Sequence, residues 1–182
     1  QECVEEIRML DQDKSAAPGR EGREGRDDQV DFELRPPRLE DVVPYMDFLA
    51  QREVSIWLDD SAQLPVGPAQ VEKLLLHDAW AIWAISVDGR FAGVTSLYDP
   101  NPLTGTAYLS IGLGEQRHWG QGLGNGIVRE VLHRGFTQLG LRKICSEILA
   151  PNGAALALHR RIGFHEDGVL RQDAWRRGKW VD

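Results

Sequence analysis

The sequence predicts a single α/β (α+β) domain, a mixed sheet flanked by helices, on three observations. β-like apolar runs flank an Asp88-Gly89 pair, the strongest short hairpin signal in the chain. Two amphipathic helical stretches lie downstream and close on Gly140 and Gly163. The length, 182 residues with 42% hydrophobic content, suits one proper core and makes a second domain unnecessary.

Each element can be justified in chain order. Residues 11 to 28 alternate charge with glycine and offer almost nothing to bury, so 1–29 reads as a short helix followed by a flexible charged linker. Cys3, Val4, Ile7 and Leu10 could line one side of that helix, and because the chain begins with Gln1 it could be processed sequence or part of a longer polypeptide. The domain is expected over 30–182. A strand at Val30 to Leu34 leads to helices from about Asp41 to Gln51 and from about Pro68 to His77. Strands at Ala81 to Val87, Phe91 to Leu97 and Ala107 to Leu113 follow. Ile127, Val128, Val131, Leu132, Phe136 and Leu139 then form one face of a helix, and a β-like run spans Lys143 to Leu149. Pro151 breaks that run, Asn152 can cap the last helix and Gly163 can end it.

Composition narrows the function. A net charge of −7 argues against general nucleic-acid binding, which needs a basic face to displace counterions. Two cysteines, Cys3 and Cys145, give neither a disulfide framework nor a set of metal ligands, and Cys145 falls in an apolar strand. No apolar run approaches the roughly 20 residues that span a membrane, so a soluble protein of the reducing cytoplasm is expected.

The chemistry concentrates in two segments. Trp119-Gly-Gln-Gly-Leu-Gly124 runs straight into a helix, and its glycines let the main chain approach a ligand closely. The first helical amides have no internal partners, and with the helix dipole they favour a pyrophosphate. Such spacing also occurs in ordinary tight turns. The turn comes too late for the first strand of a Rossmann unit and lacks the Lys-Ser or Lys-Thr of a P-loop. The second segment runs from Asn152 through His159 to Gly163-Phe164.

Together the two segments resemble the GNAT superfamily of acyl-CoA-dependent N-acyltransferases, over roughly residues 30 to 182. Trp119 stands in the place of the family's Gln or Arg, with Gly122 and Gly124 as signature glycines; Arg117, Gly120 and Gly122 fit the same pattern two residues earlier. Trp-Gly followed by a polar residue and Gly is similar to the branch acting on ribosomal-protein N termini, polyamines and amino sugars. Gly168-Val-Leu-Arg171 and Gly178 to Asp182 are similar to its closing hairpin.

The resemblance implies a mostly antiparallel sheet of six or seven strands with about four helices, splayed between the fourth and fifth strands. It implies acetyl-CoA as cosubstrate, with the pantetheine arm in the splay against Ile111, Gly112 and Leu113. The pyrophosphate would meet Arg117, His118, Trp119, Gly120, Gln121, Gly122, Leu123, Gly124 and Asn125. Asn152, Ala155 and His159 would border the arm. His159 replaces a tyrosine that in many members protonates the departing thiolate; a reference pKa near 6.5 leaves a fraction of it protonated at neutral pH. The alternative is a histidine on the helix surface. An amine must also lose its extra proton before attack, and Glu147 or a water chain could take it. Tyr108 sits near the place where some relatives carry a strand glutamate.

For the acceptor, Trp57, Asp59 and Asp60 suit a cationic amine, whereas Arg171, Arg176, Arg177 and Lys179 suit an anion. Trp80 and Trp83 are expected in the core. The resulting expectation is an N-acetyltransferase acting on a primary amine of a small molecule (amino sugar, antibiotic, polyamine) or a protein N terminus. Catalytically silent readings are a CoA-binding sensor and a subunit docked through the N-terminal helix. The short final strand leaves an edge that further sequence or a second copy in a homo-oligomer could cover.

Overall fold

The computed structural model describes residues 31–58, 60–78, 80–114, 119–120 and 122–182. The expected N-terminal helix and linker, with the candidates Asp59, Arg117, His118 and Gln121, lie outside the described residues.

Five strands form the main sheet: β1 (Phe32–Arg35), β2 (Ala81–Val87), β3 (Arg90–Asn101), β4 (Thr106–Leu113) and β5 (Lys143–Cys145). They lie in the order β1-β2-β3-β4-β5, antiparallel except for the β4 and β5 pair. The β2-β3 hairpin turns on Asp88 (φ 51°) and Gly89 (φ 73°), the doubly left-handed turn that matches strand twist. A separate hairpin pairs β6 (Ala174–Arg176) with β7 (Lys179–Val181). Its first arm lies beyond the expected Gly168–Arg171, because Arg177 (φ 50°) and Gly178 (φ 77°) form the turn and fix the pairing of Arg176 with Lys179. The strand expected over Lys143–Leu149 ends at Cys145, where it parts from β4.

The helices cover both faces of the sheet. On one face α1 (Val42–Ala50), the single turn α2 (Arg52–Ser55) and α3 (Pro68–Lys73) bury Val42, Tyr45, Phe48, Val71 and, just past α3, Leu75 against Val94. Proline opens α3, where its missing amide costs nothing, and a wider π-type turn, Leu74–Asp78, closes it. On the other face α4 (Leu123–Thr137) and α5 (Gly153–Ile162) pack on Leu97, Ala107 and Leu109. Ile127, Val128 and Val131 are fully buried, each contributing about 1.5–3 kcal/mol. Gly135 permits this closeness, since a Cβ there would lie 2.6 Å from Ile144 Cδ1.

Two expected core residues are at the surface. Trp80 is 45% exposed, because it sits at the entry to β2 before the sheet begins, and Leu139 is 39% exposed, because α4 ends at Thr137. Trp83 is partly buried against the core, and the Arg134 guanidinium lies 5.6 Å from its ring centroid.

Candidate active site

The site is built where the sheet opens. β4 and β5 pair only at Thr106 with Lys143, Ala107 with Ile144 and Tyr108 with Cys145. Beyond that point the Ser146 hydroxyl reaches the Leu109 carbonyl at 3.4 Å, a long bond in place of a ladder rung. On the other edge of β4, Thr95 Oγ1 donates to the Ser110 carbonyl at 2.9 Å. Residue 109 therefore turns its main chain toward the gap and residue 110 toward β3. Strand alternation then turns the main chain of Ile111 and Leu113 toward the gap as well.

The other side of β4 is closed. A Cβ on Gly112 would stand 2.7 Å from Phe48 Cζ and 3.3 Å from Leu58 Cδ2, and one on Gly114 would stand 2.7 Å from Phe48 Cδ2. Only glycine lets α1 and the loop after α2 lie this close to the opening.

The glycine turn reaches the same gap. Trp119, half exposed, donates its indole N–H to the Leu113 carbonyl at 3.1 Å. Gly120 (φ 76°) and Gly122 (φ 79°) are left-handed, and a Cβ on either would meet nothing within 4 Å. Gly122 starts α4 without a side-chain cap, so the first amides, those of Leu123 and Gly124, stay available to an anion. Leu123 anchors the turn with a buried side chain, and a Cβ on Gly124 would lie 3.2 Å from Leu158 of α5. Asn125 Oδ1 accepts from Arg129 Nε at 3.1 Å.

In α5 a run of bonds links three candidates. Asn152 caps the helix by accepting from the Ala155 amide at 3.2 Å, and the Ala155 carbonyl lies 2.8 Å from His159 Nδ1. A carbonyl can only accept, so Nδ1 carries the proton in the neutral ring and Nε2 carries a lone pair. Nε2 is buried without a hydrogen-bond partner, and the ring packs edge-on against Phe164 at 4.7 Å. His159 is 4% exposed, so it is not a helix-surface residue. Burial lowers its pKa from the ordinary 6.5 and outweighs the raising effect of the Ala155 bond. Burial therefore shifts the ring toward its neutral form relative to a free imidazole.

Tyr108 stands opposite Tyr98 on β3, with ring centroids 5.7 Å apart. Glu147 is exposed, two residues past the end of β5. Trp57 is half-buried in the turn after α2.

The acidic loop and the basic hairpin, which taken separately suggest opposite acceptors, meet each other. Arg176 Nη1 donates to Asp60 Oδ1 at 2.6 Å, while Nε and Nη2 donate to the carbonyls of Ile56 and Leu58 at 2.9 and 2.8 Å. Arg171 pairs instead with Asp182 at 2.8 Å. Ser146, Leu58 and the structural role of Arg176 had no local sequence signal, since each acts on a residue distant in the chain.

Comparison with known proteins places the domain in a family and a fold. The family model described as Acetyltransferase (GNAT) domain matches residues 31–165. The L-methionine sulfoximine/L-methionine sulfone acetyltransferase of Pseudomonas aeruginosa is 31% identical over 97 residues, 52% of this chain and 55% of that protein. The SPbeta prophage-derived uncharacterized N-acetyltransferase YokL of Bacillus subtilis is 25% identical over 112 residues, 62% and 63% of the respective chains. The chain thus spans less than two thirds of the length of these relatives. Spermidine N-acetyltransferase from Vibrio cholerae, in complex with CoA and spermine, shares the fold with a TM-score of 0.73 at 20% identity, over 83% of this chain and 90% of that one. RimL, a ribosomal-protein α-N-acetyltransferase in complex with CoA, does so with a TM-score of 0.72 at 20% identity, over 82% and 89%.

Proposed function

Because the chain belongs to the GNAT acetyltransferase family, we propose that it transfers the acetyl group of acetyl-CoA to a primary amine by direct attack. The observation that supports this most is the opening between β4 and β5, with an uncapped glycine turn at one end and α5, carrying His159, alongside that turn. The open space over Gly120 and Gly122 and the orphan amides of α4 fit a pyrophosphate. The gap-facing main chain of Ile111 and the amide of Leu113, whose carbonyl already accepts from Trp119, fit the amides of a pantetheine arm, which would pair backbone groups that the opened sheet leaves. Acetyl-CoA would supply the activated thioester.

Every other step falls to the protein. A main-chain amide of β4 stabilises the oxyanion, and the closed face under Phe48 and Leu58 orients the acceptor. His159 Nε2, holding a lone pair, takes the proton that the amine must shed and returns it to the departing sulfur. The proton balance closes on one side chain. Glu147, exposed beside the opening, can relay the first proton of an ammonium to solvent.

The acceptors named for the relatives and structural neighbours, spermidine, a ribosomal protein and methionine sulfoximine, all present an amine. For this chain the class is a primary amine of a small molecule or a protein N terminus, acted on in the cytoplasm. Self-association is part of the proposal, since the Vibrio cholerae neighbour occurs as a dodecamer.

Thiol release from acetyl-CoA, followed across polyamines, amino sugars, aminoglycosides, amino acids and N-terminal peptides, tests this. Release that depends on one amine class is expected. Tight CoA binding without amine-dependent release from any of them would instead identify a silent CoA-binding module.

A further inference from the structure

We infer that Arg176 is a positioning residue that sets one wall of the acceptor pocket from the far end of the chain. The inference rests on the proposed acetyl transfer and names how its acceptor side is held. Arg176 is 7% exposed, and its guanidinium bonds the carbonyls of Ile56 and Leu58, the carboxylate of Asp60 and its own neighbour's carbonyl, Trp175, at 2.9 Å. The first three partners lie 116 to 120 residues upstream. Leu58 in turn covers Gly112, next to the gap-facing residues of β4. A force on the hairpin therefore reaches the transfer site through two contacts.

The bonds also say what the guanidinium is for. Asp60 is 77% exposed, so water can take the place of its carboxylate at the guanidinium and an Asn there keeps an acceptor oxygen. The two loop carbonyls are the constraining contacts. A planar fork satisfies both in fixed directions, whereas a lysine offers one point charge on a flexible stem. An ion-pair role predicts that Asp60→Asn, which removes the charge, is more damaging than Arg176→Lys, which keeps it; a positioning role predicts the reverse order.

The experiment is hydrogen exchange at the amides of residues 56–58, together with steady-state kinetics, in the wild type, Arg176→Met, Arg176→Lys and Asp60→Asn. The amine is whichever of spermidine, L-methionine sulfone and a Ser-initiated peptide the wild type acetylates. In both Arg176 variants, faster exchange confined to this loop and an amine KM raised about tenfold are expected, with the KM of acetyl-CoA within about twofold. Asp60→Asn should stay close to wild type in exchange. If Arg176→Met does not fold, Arg176→Lys decides. Unchanged exchange at 56–58, a parallel rise in both KM values, or an Asp60→Asn variant as severe as Arg176→Lys would overturn the assignment. A wild type silent toward all three amines counts against the proposed transfer, and exchange alone then decides whether Arg176 holds the loop.

Discussion

Asp41 and His159 are both buried ionisable side chains, 2% and 4% exposed, but they are built in opposite ways. Asp41 accepts two bonds from Arg35 and one from the Arg38 amide, all at 2.7 Å. His159 makes one bond and leaves Nε2 with none. Leaving a buried polar atom unpaired costs about 1–3 kcal/mol. A saturated buried charge is architecture, tying β1 to the start of α1; an unpaired buried nitrogen is what the proposed transfer would use.

The largest expected effect breaks the saturated member. Asp41→Ala strands Arg35, which is 11% exposed, as an uncompensated charge, and should cost about 3–5 kcal/mol in chemical denaturation. A loss below about 1 kcal/mol would show that the pair is ornamental. His159→Phe keeps the ring and its edge contact with Phe164 while deleting the orphan nitrogen. Stability should hold or rise by about 1 kcal/mol, while kcat falls about a hundredfold. A variant that keeps its turnover removes His159 from the chemistry.

Acid titration separates the two groups by pH. The pKa of His159 is depressed from 6.5, so between its folded value and 6.5 the unfolded chain binds more protons. Its contribution is complete above pH 6.5 and is lost as pH falls below that value. For Asp41, burial pushes the carboxyl up, but the Arg35 bonds, the Arg38 amide and their charges together prevail and lower it from 3.8. That contribution is intact above 3.8 and is lost only as pH falls through the depressed value. Stability should therefore decline in two stages, and His159→Phe should abolish the first alone. A first stage that survives in His159→Phe would assign it to another group.

What the sequence made legible was local. Asp88-Gly89 needs only its own positive φ values to declare a hairpin, and Asn152 and Gly163 declare the ends of α5 through capping chemistry. The burial of His159 also had a signal, because it shares the helical face of Ala155 and Ile162. The early end of β5 had none, since the split depends on how β4 and α5 diverge in space. The pairing of Arg176 with residues 56–60 was equally invisible: each half carries a charge that suggests a ligand, and only the fold shows that they neutralise one another. Trp80 misled for a related reason, since hydrophobicity gives no account of which large side chains the sheet leaves uncovered.

The smallest effect expected is also the one that divides structure from function within a single side chain. Asn152 spends its Oδ1 on the Ala155 amide, leaving its NH2 group to reach a ligand. Asn152→Ala should lose the cap, about 0.5–2 kcal/mol. Asn152→Asp keeps the acceptor, and its negative charge suits the helix N-terminus, so stability should match the wild type within about 0.5 kcal/mol. If the amide NH2 holds the pantetheine arm, this variant should bind CoA several-fold more weakly by calorimetry although its helix is intact. Equal CoA affinity in Asn152→Asp and the wild type would leave Asn152 a cap alone and place it with Asp41, among the groups whose bonds are all spent on the fold.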